Sequence, residues 1–101
     1  MSTLSIIERW VEEDTKVLDL GCGNGEILFE LKKTKKITGL GVEIEENNIE
    51  QCLLKNINVI EQNIDDGLIN FSNNSFDVVI LSQTIQVLKN PNTALEEITR
   101  I

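Results

Sequence analysis

The stretch Val17-Leu18-Asp19-Leu20-Gly21-Cys22-Gly23-Asn24-Gly25 constrains the fold more than any other part of the chain. An apolar run, Lys16–Leu20, is followed at once by three of the chain's six glycines at alternate positions. Glycine is about 0.5–1 kcal/mol less favourable than alanine inside regular structure. Three at this spacing mark a backbone that bends sharply or lets something approach closely. Ile27, Leu28 and Leu31 then fall on one stripe of a helix. A buried strand, a glycine turn and a helix in this order open a β-α-β unit.

The rest of the chain continues the alternation. Ile6, Ile7, Trp10 and Val11 are spaced as the inward face of an N-terminal helix over about residues 3–13. The cluster Lys32, Lys33, Lys35 and Lys36 suits the C-terminus of the next helix and reads as a solvated surface. A second strand fits Ile37–Ile44. A helix fits Glu46–Lys55, with Ile49, Cys52 and Leu53 inward, and a third strand fits Asn58–Gln62. The polar stretch Asp65–Ser75 reads as loop with room for one helical turn. Phe76–Leu81 is continuously apolar after its acid, as expected of a strand buried on both faces of a parallel sheet. A short helix fits Thr84–Leu88. Asn90 and Pro91 suit the N-cap and first residue of a last helix with Leu95, Ile98 and Ile101 inward. The expected class is α/β, a parallel sheet with right-handed crossovers. The chain stops at Ile101 inside a helical pattern. The expectation is one domain over residues 1–101, truncated, with the strands beyond the fourth missing.

Composition excludes several functions. The chain is 41% hydrophobic and 26% charged, the balance of a globular protein. Seventeen acids against nine bases give a net charge of −8, which opposes a nucleic-acid partner. No apolar run approaches the roughly 20 residues that cross a bilayer. The first residues lack the basic start of a signal peptide, so a cytoplasmic location is expected. There is no histidine, which removes Ser-His and Cys-His nucleophile pairs, and with two cysteines leaves too few ligands for zinc. Cys22 and Cys52 are expected to be free thiols.

The glycine loop lies at a strand-to-helix turn, where open α/β sheets bind ligands. Its spacing departs from G-x-G-x-x-G, which argues against a nicotinamide dinucleotide-binding protein. Glu43 lies 18 residues after Gly25, at the end of the second strand. A carboxylate there is placed to accept hydrogen bonds from both hydroxyls of a ribose. Asn63 and Ile64 close the third strand. A side-chain acceptor at that point suits an adenine amino group, and the next backbone N–H suits a ring nitrogen. The alternatives are Asn63 as a turn residue and Asp65 in its place. Asp77 reads as structural. Ser82, Gln83 and Thr84 follow the fourth strand, either facing the ligand or capping a short helix.

The segments "VLDLGCGNG", "GVEI", "VIEQNIDDGL" and "SFDVVILSQTIQVL" resemble the class I S-adenosylmethionine-dependent methyltransferases. More closely, they resemble the MetW family of methionine biosynthesis, from Lys16 to Ile101. The resemblance implies a Rossmann-like three-layer sandwich and S-adenosylmethionine as cofactor. It implies that Asp19, Gly21 and Gly23 border the methionyl part, with backbone near Gly21 meeting its amino group and Cys22 and Gly25 completing the loop. It implies that Glu43 holds the ribose with Ile44 beside it, and that Asn63 and Ile64 meet adenine. Asn63 stands where these enzymes usually carry aspartate. Ser82 and Gln83 fall near the methyl donor. A side chain at Gly21 or Gly23 would occupy the space the methionyl end needs. No residue stands out as catalytic. Two functions follow: a cofactor-binding subunit acting with homoserine O-acyltransferase, or an active methyltransferase on a small-molecule or protein acceptor. Methyl transfer from a sulfonium needs alignment more than a base, so the missing histidine does not exclude the second.

Overall fold

Four short apolar runs pair into one parallel sheet. The computed structural model describes residues 3–81 and 91–101. The strands are β1 (Lys16–Leu20), β2 (Thr38–Glu43), β3 (Val59–Glu61) and β4 (Val78–Ile80), in the order β3-β2-β1-β4. The helices are α1 (Thr3–Trp10), α2 (Glu26–Lys35), α3 (Glu46–Leu54) and α4 (Pro91–Arg100), with one 3-10 turn at Ile64–Asp66. β1 lies between β2 and β4, and Asp19 is in register with Gly41 on one side and Ile80 on the other. The strand order therefore reverses at β1, and the loop leaving β1 opens at that switch point.

The period of two along each strand divides the core into two layers. Val17, Val78, Ile80 and Val59 face a cluster with Val11, Cys22, Leu28, Leu31, Cys52 and Ile57, under α1, α2 and α3. Leu18, Leu20, Leu40, Val42, Ile60 and Val79 face the other cluster, with Ile64, Leu68, Phe71, Ile98 and Ile101, under the 3-10 turn and α4. Leu18, Leu20, Leu28, Leu31 and Leu68 are fully buried. Each contributes about 1.5–3 kcal/mol by leaving water. This is the α/β three-layer arrangement expected from the sequence.

Glycine appears inside β2 for a packing reason. Gly39 and Gly41 alternate onto the α2 side. A Cβ at Gly39 would lie 3.1 Å from Leu28, and one at Gly41 only 2.5 Å from the Cys22 sulfur. The two missing side chains let α2 and the glycine loop settle onto the sheet. At the other end of β1, Lys16 N–H donates to Asp77 Oδ2 at 2.7 Å, and Asp77 N–H donates to Lys16 O at 2.9 Å. This double bond of backbone and side chain starts β4 alongside β1 and gives Asp77 the structural role expected of it.

Three inward assignments are corrected. Trp10 is 80% exposed and Ile6 is also exposed, because Ile7 of α1 and Val11 just after it are the residues turned to the core. Leu53 is 60% exposed, because α3 buries Cys52 instead. The helix expected at Thr84–Leu88 and the cap at Asn90 lie outside the described residues. Pro91 is the first residue of α4, as expected. No described helix is long and apolar enough to cross a membrane.

Candidate functional site

The glycine loop is held by its two neighbouring strands. Gly21 N–H and Cys22 N–H both donate to Val42 O, at 2.8 and 3.1 Å, which bends the chain across the end of β2. Gly21, Gly23 and Gly25 have φ of 72°, 58° and 84°, all left-handed. That conformation, repeated at alternate residues, is the first reason for glycine here. The three differ in their surroundings. A Cβ at Gly25 would meet the Cys52 sulfur at 3.0 Å and Ile57 at 3.4 Å, so Gly25 seats the loop on α3. A Cβ at Gly23 would meet nothing within 4 Å, so the loop is open on that side. Asn24 Oδ1 accepts the Glu26 N–H at 3.1 Å and starts α2, while Lys55 Nζ donates to Asn24 O at 3.1 Å.

Glu43 reaches across to this loop. Its Oε1 accepts the Gly23 N–H at 2.9 Å, and its Oε2 accepts the N–H groups of Ile44 and Glu45 at 3.1 and 2.9 Å. The residue is 8% exposed. A carboxylate offers about four lone-pair positions. Three are taken, and one on Oε1 is left. Ile44, next in the chain, is 57% exposed.

Asp19 has the opposite character. It is 1% exposed, and neither carboxyl oxygen has a hydrogen-bond partner among the described residues. Burial pushes its pKa up to about 7, and the charge of nearby Glu43 adds to the shift. An ionised carboxylate without partners in the interior costs several kcal/mol, so it takes up a proton or a cation. A cationic ligand at the loop fits this residue.

Cys22 and Cys52 are free, buried thiols with sulfurs 3.7 Å apart. Cys52 Sγ donates to Gly23 O at 3.3 Å. Burial raises the pKa of both thiols above the ordinary value. Gly23 is thus gripped twice, its N–H by Glu43 and its carbonyl by Cys52.

The turn after β3 is built by its own amides. Asn63 Oδ1 accepts the Asp65 N–H at 3.0 Å and caps the 3-10 turn, which is the turn-residue alternative. Ile64 is buried in the core, and its side chain serves packing. Gln62 and Asn70 form a reciprocal amide pair at 3.1 and 2.9 Å, and Gln62 Nε2 also donates to Gly67 O at 2.9 Å. Sequence reasoning missed this clasp, because nothing in a polar loop marks which amides will face each other. Ser82, Gln83 and Thr84 lie outside the described residues. The sequence-selected residues therefore divide: Asp19, Gly21, Cys22, Gly23, Gly25, Glu43 and Ile44 gather around one loop, while Asn63 and Ile64 sit at the end of the neighbouring β3. A cavity of about 350 Å³ lined by Trp10, Glu12, Thr15, Asp77 and Val78 lies at the opposite ends of the strands.

The family profile described as methionine biosynthesis protein MetW matches residues 2–101. The chain belongs to the MetW family. It is 32% identical over 111 residues to a bifunctional methionine biosynthesis protein MetXA/MetW of Rhodopirellula baltica, covering 98% of this chain and 18% of that one. Among solved structures it resembles a SAM-dependent methyltransferase of Archaeoglobus fulgidus, with 27% identity, a TM-score of 0.80, and coverage of 98% of this chain and 48% of that one. A SAM-dependent methyltransferase of Thermotoga maritima is 26% identical, with a TM-score of 0.79 and coverage of 97% and 44%. The MetW-family chain thus has the class I methyltransferase fold and spans less than half the length of each of these proteins.

Proposed function

We propose that this MetW-family chain is a single S-adenosylmethionine-binding domain, acting as a cytoplasmic subunit beside homoserine O-acyltransferase. The observation that carries the first half is Asp19, a buried carboxylate with neither oxygen partnered among the described residues. S-Adenosylmethionine brings a sulfonium and an ammonium, and either offsets a desolvated anion. The open side of Gly23 leaves room for the methionyl part against the loop, bordered by Gly21, Cys22 and Gly25. Glu43 keeps one acceptor position for a ribose hydroxyl, and exposed Ile44 offers an apolar face to adenine. By resemblance to the methyltransferases, Asn63 and Ile64 are assigned to the adenine and Ser82 to the methyl donor. When bound, the cofactor supplies a methyl group already activated on sulfur. The chain's own residues bind and orient it.

One fact favours a subunit over a free-standing methyltransferase. In the Rhodopirellula baltica relative, MetXA and MetW are one polypeptide. Fusion supports a working association with MetX, the homoserine acyltransferase.

Calorimetry of the intact protein with S-adenosylmethionine, alone and with the purified acyltransferase, tests both halves. Binding and a stable complex are expected, without consumption of the cofactor. No binding by the intact protein overturns the cofactor half. Turnover to S-adenosylhomocysteine, with no complex formed, overturns the subunit half in favour of an active methyltransferase.

A further inference from the structure

The sulfurs of Cys22, on the glycine loop, and Cys52, on α3, lie 3.7 Å apart. From this juxtaposition we propose that the two thiols form a redox-sensitive pair, closing to an intramolecular disulfide that opposes occupancy of the crevice. The second half rests on the cofactor reading above; the first does not.

A disulfide holds its sulfurs at about 2.05 Å, so closure draws the two together by roughly 1.7 Å. Glycine gives each sulfur its room. The Cys22 sulfur lies over Gly41, where a Cβ would stand 2.5 Å away, and the Cys52 sulfur against Gly25, where one would stand at 3.0 Å. Closure also changes what holds the loop. The Cys52 S–H donates to Gly23 O at 3.3 Å, and oxidation removes that hydrogen. Glu43 still holds the Gly23 N–H from the other side. Gly23 and its neighbours then settle in a different position relative to Glu43. A ligand seated on the reduced loop discriminates between the two forms, and by reciprocity the disulfide forms less readily when the ligand is bound.

The oxidant is a peroxide. Cys22, the less buried of the two, attacks hydrogen peroxide through its thiolate. The O–O bond breaks, one oxygen stays on sulfur as a sulfenic acid, and the other leaves as water. The Cys52 sulfur then displaces that hydroxyl: an S–S bond forms, an S–O bond breaks, and a second water leaves. Two thiols are oxidised and one peroxide is reduced. Burial keeps both thiols protonated, so the reaction is slow at rest. Anything that holds the loop closed slows it further.

The test treats the purified intact protein with hydrogen peroxide and maps the peptides by mass spectrometry. A peptide linking Cys22 to Cys52, lighter by two hydrogens and restored by a dithiol reductant, is expected. Sulfinic acid, intermolecular links or unreacted thiols in place of that peptide overturn the pair, whatever the cofactor result. Saturating S-adenosylmethionine should slow the link roughly tenfold, and the oxidised protein should bind it roughly tenfold more weakly. Equal rates and equal affinities overturn the antagonism. If reduced protein does not bind S-adenosylmethionine at all, the cofactor reading fails while the peptide map still decides the disulfide. Cys52→Ser, shown folded by circular dichroism, should bind the cofactor, and neither it nor Cys22→Ser should lose affinity on treatment with peroxide. A response that persists in either also overturns the pair.

Discussion

Glu43 Oε1 accepts the Gly23 N–H at 2.9 Å, so the carboxylate that ends β2 holds the loop that leaves β1. One side chain is thereby asked to do two things, to set the loop and to meet a ribose. Glu43→Gln separates them. It keeps the volume but sets an NH2 group against backbone donors, and stability should fall by about 1–3 kcal/mol in urea unfolding. The ribose role has its own readout. The native protein should prefer S-adenosylhomocysteine to its 2′-deoxy analogue, and the variant should lose that preference. Equal preference in both proteins would leave Glu43 with the loop alone.

Asp19 predicts a pH dependence. Its carboxyl titrates near 3.8 when unfolded and at about 7 when folded, because burial and Glu43 both disfavour the charge. Between these values the native state binds the extra proton. Stability is therefore fully present below about pH 4 and is lost as pH rises toward 7. The shift corresponds to about 4 kcal/mol at most. Asp19→Asn should flatten this part of the profile of unfolding midpoint against pH. The slope is the measurement, since the introduced amide is itself unpaired. The same proton opposes a cationic ligand, so affinity for S-adenosylmethionine should rise through pH 7 in the native protein and not in the variant. Parallel profiles would mean that Asp19 does not titrate in this range.

Local chemistry explains what the sequence disclosed. Gly21, Gly23 and Gly25 mark the loop because left-handed backbone is costly for other residues, and that requirement is visible residue by residue. The parallel sheet with its crossovers follows from the alternation of strands and helices, whereas the return of β4 to the far side of β1 does not. Other features were set by tertiary partners. Trp10 and Ile6 fit a helical stripe as well as Ile7 and Val11 do, and only the placement of α1 decides which pair is covered. Asn63 serves its own turn, a choice made by the 3-10 geometry after it. The Cys22–Cys52 contact joins a loop to a helix 30 residues away, with no periodicity to announce it. Gly39 and Gly41 were legible in principle: glycine at alternate positions of a strand signals close approach from one face.

That close approach predicts a coupled pair of substitutions. Gly41→Ala places a methyl 2.5 Å from the Cys22 sulfur and 3.1 Å from its Cβ. Something must move, and overpacking of this kind costs about 1–3 kcal/mol. Cys22→Ala removes the obstructing sulfur. In a double-mutant cycle by urea unfolding, the two changes together should cost less than the sum of the single ones, by about 0.5–3 kcal/mol. Strict additivity would show that the loop moves aside freely and that Gly41 is not required for its seat.

Arg100 fastens the last helix to the loop after β3. Its guanidinium donates to Leu68 O, Phe71 O and Asn73 Oδ1, each at 2.8 Å, and pairs with Glu97. The planar fork serves several acceptors at once, which an ammonium does not. Around it, Asn74 N–H donates to Arg100 O and Phe76 N–H to Ile101 O, and the Phe71 and Phe76 rings meet edge to face at 5.5 Å. Arg100→Ala should cost about 2–3 kcal/mol, the scale of hydrogen bonds to a charged group that is still partly in water. Arg100→Lys should recover less than half of it. The loss should be local as well as global. Hydrogen exchange at the Phe71, Asn74 and Phe76 amides should accelerate more than at Leu18 and Leu20, because β1 keeps both neighbouring strands while the loop loses the bonds of the guanidinium. Uniform acceleration across the chain would make Arg100 a general contributor to stability rather than the fastening of this loop.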